Sequence, residues 1–151
     1  MSDMVKLRRQ HESTLTLIQG IGARIDNIGS EPGADEAFEL GLLLAKLSGG
    51  LRRHLVRENK DLYPRMINSD DAEIAETARR FRNEIGRIGH DFDIFIERWR
   101  NIVDIRRNWS GFRLETKQIF DMLEQRIERE NTILYVLADR VAAPERAVRA
   151  A

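Results

Sequence analysis

Residues 72–99 read AEIAETARRFRNEIGRIGHDFDIFIERW, and this stretch decides the fold. Its apolar residues fall at Ile74, Ala78, Phe81, Ile85, Ile88, Phe92, Phe95 and Trp99, alternating steps of four and three. An α-helix turns about 100° per residue, so this spacing lines one face of a helix and excludes a strand. Upstream, Asn68-Ser69-Asp70-Asp71 supplies a turn, with Ser69 or Asp70 as the expected N-cap. Further back, Gly29-Ser30-Glu31-Pro32-Gly33 is the clearest breaker in the chain. Downstream the boundary is weaker. Asn101 can cap a new helix that includes Ile105, Trp109 and Phe112, or the boundary falls at Asn108–Gly111, where Ser110-Gly111 supplies the turn; the reset of the period favours Asn101. The resulting map has helices near 3–28, 34–67, 70–99 and 102–141, joined by loops short enough to make neighbours antiparallel. This predicts an all-α, up-down antiparallel four-helix bundle over 1–143, with a tail over 144–151 that begins at Pro144.

The other three helices carry similar stripes, but each interrupts its stripe with an ionisable side chain. Helix 1 shows Met4, Leu7, Leu15, Ile18, Gly22 and Ile25, with His11 within about 20° of the stripe's centre. Helix 2 shows Leu40, Leu44, Leu47, Leu51 and Leu62, with His54 and Glu58 in the core positions between the last two. Helix 4 runs Ile105, Trp109, Phe112, Leu123, Ile127, Leu134, Leu137 and Val141, with Glu130 central. A lone core histidine is ordinarily just hydrogen-bonded, and a lone inward glutamate is ordinarily paired with an arginine. Four such groups at matching depth ask for a shared cationic partner, because a buried unpaired carboxylate costs several kcal/mol. On helix 3, Glu84 sits about 70° from the centre of the stripe and is the better inward candidate. His90 lies about 170–180° away and should face solvent.

Composition removes most rivals. The chain has no cysteine, so disulfides, thiolate metal sites and cysteine nucleophiles are excluded together, which suits a cytoplasmic protein. Lys+Arg and Asp+Glu balance at 25 each with no long like-charge block, which argues against nucleic acid as a partner. No stretch has the apolar run of a signal peptide or a membrane span. There is no phosphate-binding loop, no E-x-x-H tetrad and no Ser-His-Asp arrangement. Gly49-Gly50 inside helix 2 reads as a close helix approach. Tyr63 and Tyr135 each follow a ligand-type glutamate by five residues, which puts them off the stripe; they are expected to pack with the hydroxyl in water rather than to act as redox tyrosines.

The segment His54-Leu-Val-Arg-Glu58-Asn-Lys-Asp-Leu-Tyr63-Pro64 resembles the second-helix signature of hemerythrin-like, HHE cation-binding proteins, an H-x-x-x-E followed by L-[YF]-P. Arg126-Ile-Glu-Arg-Glu130-Asn-Thr-Ile-Leu-Tyr135 repeats the theme on the fourth helix, and His11 matches the family's first ligand. The resemblance covers nearly the whole chain. It implies two non-haem irons, bridged by two glutamates and capped by histidines from all four helices. His11, His54, Glu58 and Glu130 fit that pattern. Position 126 departs from it, carrying Arg126 where the family has histidine.

That departure changes the expected chemistry. A permanently charged guanidinium at about 4–5 Å from a dication costs several kcal/mol at an effective dielectric constant near 20. One metal per chain or none is therefore expected, held by His11, His54, Glu58 and Glu130 with Glu84 as a possible fifth ligand, and reversible dioxygen carriage of the five-histidine kind is disfavoured. The resemblance implies a non-haem iron (or Zn or Mn) domain that senses or buffers iron, oxygen, nitric oxide or redox state, with a small diatomic ligand as partner. The alternative is a metal-free four-helix scaffold for protein–protein contact or homodimerisation, its site turned into an Arg–Glu network. An oxygen-using enzyme is the third reading; two histidines and a carboxylate permit it, but no substrate pocket is legible.

Overall fold

The computed structural model describes residues 3–141. The tail expected over 144–151 lies outside the described residues. Among them the chain is helical apart from short connecting loops, with no strand. Helix α1 spans Asp3–Ile28. Helix α2 runs Ala34–Arg57, widens into a π-type turn over Glu58–Leu62, and continues through Tyr63–Ile67. Helix α3 spans Ala72–Arg98 and the short α4 spans Ile102–Arg107. Helix α5 runs Trp109–Arg129, widens over Glu130–Leu134, and ends with Tyr135–Val141.

Helices α3, α4 and α5 each start where a side chain holds an orphan backbone N–H. Asp71 caps α3 by accepting from the Glu73 and Ile74 amides, one or two residues later than Ser69 or Asp70, the expected caps. Ser69 instead accepts from the Asp71 amide and shapes the turn. The helix expected over 102–141 is divided: Asn101 caps α4 as expected and Asn108 caps α5, while Ser110 and Gly111, the turn of the alternative boundary, lie inside the first turn of α5. The Asn108 carboxamide folds so tightly over Gly111 that a Cβ there would meet it at 2.5 Å. Gly29 closes α1 with φ of +79°, a left-handed conformation glycine adopts without strain. The backbone carbonyl of Gly29 accepts from the Trp109 indole at 2.9 Å, so the end of α1 meets the start of α5. At the opposite end Arg8 pairs with Asp139, which fixes α1 and α5 as antiparallel.

The buried side of α1 is Met4, Leu7, His11, Thr14, Ile18, Ile21 and Ile25. Leu15 and Gly22, expected inside, are only half-buried, and Thr14 and Ile21 take their places. The reason is period: the seam follows a strict seven-residue repeat, as in supercoiled bundles, which drifts from the face of a straight helix. Two apolar clusters fill the interior. One gathers Ile18, Leu40, Leu47, Phe92, Phe95, Phe112 and Leu123; the other gathers Leu7, Leu62, Met66, Phe81, Leu134 and Tyr135. Between them lies a layer of buried polar groups, His11, His54, Glu58, Arg126 and Glu130. No helix among the described residues is long and apolar enough to cross a membrane.

Candidate metal centre

Three helices build this layer. Helix α1 brings His11, α2 brings His54 and Glu58 one turn apart, and α5 brings Arg126 and Glu130 one turn apart. His11, His54, Glu58 and Glu130 each offer a ligand-type atom, and these atoms all lie within 4.8 Å of one another. All four are buried, Glu58 completely.

Both imidazoles point Nε2 at the centre of the cluster. His11 Nε2 lies 2.8 Å from Glu130 Oε1, and His54 Nε2 lies 3.3 Å from Glu58 Oε2 and 3.6 Å from Glu130 Oε1. Their outer nitrogens are tied back by amides: His11 Nδ1 to Asn131 Oδ1 at 2.7 Å, and His54 Nδ1 to Gln10 Oε1 at 2.8 Å. With the amide oxygens facing the rings, each Nδ1 is the donor, so it is the Nε2 proton that a metal would replace, and loss of that proton leaves the Nε2 lone pair facing inward. Histidines that ligate metals are held this way.

The two tyrosines correct the sequence reading. Neither hydroxyl is in water. Tyr135 is fully buried, and its hydroxyl donates to Glu58 Oε2 at 2.7 Å while sitting 3.1 Å from His11 Nε2, 3.2 Å from His54 Nε2 and 3.2 Å from Glu130 Oε1. Tyr63, also buried, accepts from Arg126 Nη2 at 2.9 Å. The cause is the pair of wide turns. In an unbroken helix a residue five positions on faces well away, but in a π-type turn its amide bonds back to the residue five earlier. Tyr63 bonds to the Glu58 carbonyl and Tyr135 to the Glu130 carbonyl, which turns both rings inward. The available signal was the matching run Glu-Asn-x-x-Leu-Tyr at 58–63 and 130–135.

Arg126 fills the neighbouring half of the layer. Its Nε donates to Glu130 Oε2 at 2.7 Å, its Nη2 donates to the Phe81 carbonyl at 2.9 Å, and its guanidinium lies 4.7 Å from the centre of the Phe81 ring. Glu130 is thus shared, one oxygen facing the imidazoles and the other facing the guanidinium. Glu84, expected as a possible fifth ligand, is not among the clustered residues. It is partly exposed, pairs closely with Arg129, and approaches Arg126 Nη1 at 3.5 Å. His90 is exposed, on the outward side of α3 as expected.

Charge in this layer is strongly coupled. Burial opposes ionisation of Glu130, but hydrogen bonds with His11 and His54 and the Arg126 charge hold it well below the usual carboxylate range. Burial and the nearby Glu130 charge push Glu58 up, only partly offset by His54. Burial lowers His54, yet its hydrogen bonds to Glu130 and Glu58 prevail and lift it to about 9. Burial, then the two glutamates, raise Tyr135 and keep it a phenol. The Glu58 Oε1 atom is buried with no hydrogen-bond partner, an acceptor left over for a cation. Two imidazoles and two carboxylates, one of them with an orphaned oxygen, fit a first-row divalent metal such as iron, manganese or zinc.

The model of the hemerythrin HHE cation-binding domain matches residues 4–138. Comparison with curated proteins and with solved structures returned no match.

Proposed function

Because the chain belongs to the hemerythrin HHE cation-binding family, we propose that it holds a single non-haem iron and uses it to sense or buffer iron, dioxygen, nitric oxide or redox state. His11 and His54 would hold the metal through Nε2, and Glu58 and Glu130 through carboxylate oxygens. The carrying observation is the convergence of these four buried residues, with both imidazoles oriented from behind by amide oxygens. When bound, iron would supply a redox-active centre that reacts with small diatomic ligands. The protein's own part is to present nitrogen lone pairs, to exclude water with the apolar clusters on either side, and to set the charge. Arg126 sets it by neutralising the outer oxygen of Glu130, where a second metal would otherwise share that carboxylate. Glu84 serves in this reading as the counter-ion of Arg129 and Arg126 rather than as a ligand.

Metal content per chain after purification from iron-supplemented cells tests the reading. One iron per chain is expected, lost in His54→Ala. Less than about a tenth of a metal per chain, unchanged by His54→Ala, overturns it.

A second reading, a metal-free scaffold for protein contact, is favoured by one observation: Arg126 and Tyr135 already give Glu130 and Glu58 hydrogen-bonded partners. It requires a melting temperature that strong chelators leave unchanged. The iron reading requires that temperature to fall on chelation, since a ligand bound only to the folded state stabilises it.

A further inference from the structure

We propose that Tyr135 is a fifth protein ligand, bound as a phenolate, making this a two-nitrogen, three-oxygen centre that favours ferric iron; this rests on the metal-binding reading above. The seat of a cation can be located from the groups that would surround it. Here one atom, the Tyr135 hydroxyl oxygen, already lies within 3.2 Å of a ligand-type atom of all four residues. It lies 2.7 Å from Glu58 Oε2, 3.1 Å from His11 Nε2, and 3.2 Å from both His54 Nε2 and Glu130 Oε1. A metal entering among these four atoms must either expel that oxygen or bind it.

Expulsion is opposed by the packing around the ring. The Tyr135 side chain is wholly buried and its ring is stacked on His11, with centroids 4.9 Å apart and planes 10° apart. Arg8 covers the ring at 5.7 Å from its centre. The backbone beneath it is pinned by the wide turn, through the bond from the Tyr135 amide to the Glu130 carbonyl. The oxygen stays where the metal binds.

Charge gives the same answer. A dication with two glutamates and the buried Arg126 leaves one surplus positive charge in an apolar interior, where uncompensated charge is costly. A phenolate cancels it. With a trication the surplus without the phenolate would be two, so the third anion matters more for ferric than for ferrous iron. In the binding step the phenolic O–H bond breaks as the metal–oxygen bond forms, and the proton leaves to solvent. The guanidinium at 126 therefore has two effects, occupying the second half of the pocket and favouring an additional anionic oxygen in the first.

The test is visible spectroscopy of the full chain loaded with ferric iron, alongside measured iron content. A ferric phenolate absorbs in the visible by charge transfer from the ring to the metal. We expect such a band in the wild-type protein, retained in Tyr63→Phe (the chain's other tyrosine) and absent in Tyr135→Phe. Ferric affinity should fall in Tyr135→Phe by at least the roughly 10–100-fold typical of losing an outer partner of a ligand. Resonance Raman excitation in the wild-type band should return tyrosine-ring vibrations, which keeps the test decisive if the variant does not fold. Iron bound without such a band, or a band that survives Tyr135→Phe, overturns the proposal and leaves the metal site standing. Absence of bound iron overturns both.

Discussion

Removing Arg126 tests the physics of the polar layer most directly. Arg126→Ala should destabilise the metal-free protein by about 3–5 kcal/mol, the range for breaking a buried ion pair from one side. The structure supplies the reasons. The side chain is 3% exposed, so its charge is almost wholly withdrawn from water. It makes a 2.7 Å charge-assisted bond to Glu130 and two 2.9 Å bonds, to the Tyr63 hydroxyl and the Phe81 carbonyl. Each hydrogen bond involving a charged group contributes about 1.5–3 kcal/mol, but desolvating the guanidinium takes back a large part of the sum. What remains after truncation is a Glu130 with one counter-charge fewer, a buried tyrosine hydroxyl with no donor and a cavity under Phe81. For a chain of this size the loss corresponds to a fall in Tm on the order of 10 °C. Urea unfolding in excess chelator, with the unfolding slope checked for constancy, gives the number. Arg24→Ala provides the scale: its pair with Glu39 is about half exposed on both sides, and losing it should cost less than about 1 kcal/mol. If Arg126→Ala also costs less than about 1 kcal/mol, Arg126 does not balance the charge of this layer, and the argument for a single metal falls with it.

Three further outcomes follow from the same geometry. In chelated protein the folded-state His54 at about 9 exceeds its ordinary 6.5, so its stabilisation is complete below pH 6.5 and disappears as pH rises to about 9. The raised Glu58 acts in the same direction at lower pH. Chelated protein should lose on the order of 3 kcal/mol over that window, while iron-loaded protein, with metal in place of the proton, should not; equal slopes in urea titrations would contradict this. Asn131→Leu keeps the volume but removes the oxygen that orients His11, and should weaken metal binding roughly 10–100-fold by competition with a chromophoric chelator. Asp71→Ala deletes the cap of α3 and should cost about 1 kcal/mol with metal affinity unchanged, which unfolding and metal titration check together.

The bundle was legible because burial acts on a periodic object. The stripe from Ile74 to Trp99 is inside almost residue for residue, with only Ile85 half-buried. His11, His54, Glu58 and Glu130 could be found for the same reason: each stands where a repeating pattern calls for an apolar side chain, so burial selects it whatever its polarity. Glu84 stands outside the cluster and pairs with Arg129, because angle alone cannot say which cation a carboxylate at the rim of a face will meet. The tyrosines were missed because a wide turn adds a residue without a breaker to mark it. Nothing in the composition of Glu58–Leu62 or Glu130–Leu134 resembles a glycine or proline signal.

Those two turns also explain how one pattern yields two unlike halves. His54, Glu58 and Tyr63 on α2 correspond in spacing to Arg126, Glu130 and Tyr135 on α5. Each tyrosine reaches across to the other helix's cationic or ligating group, Tyr135 to His54 and Tyr63 to Arg126. The two stretches therefore match in spacing and in their wide turns, and the difference between an imidazole half and a guanidinium half comes down to what stands at 54 and 126. Histidine presents a lone pair that a metal can take. Arginine presents only donors and a fixed positive charge. Glu130, lying between them, receives a cation on one side by sequence and can receive one on the other only by binding it. Changing Arg126 to histidine should then do more than remove a charge. It would restore the missing lone pair opposite Tyr63, raise the capacity for metal above one per chain, and make the second equivalent compete with protons as the first does. If metal per chain stays at one in a folded Arg126→His variant, the asymmetry lies in the surroundings of Phe81 rather than in the guanidinium.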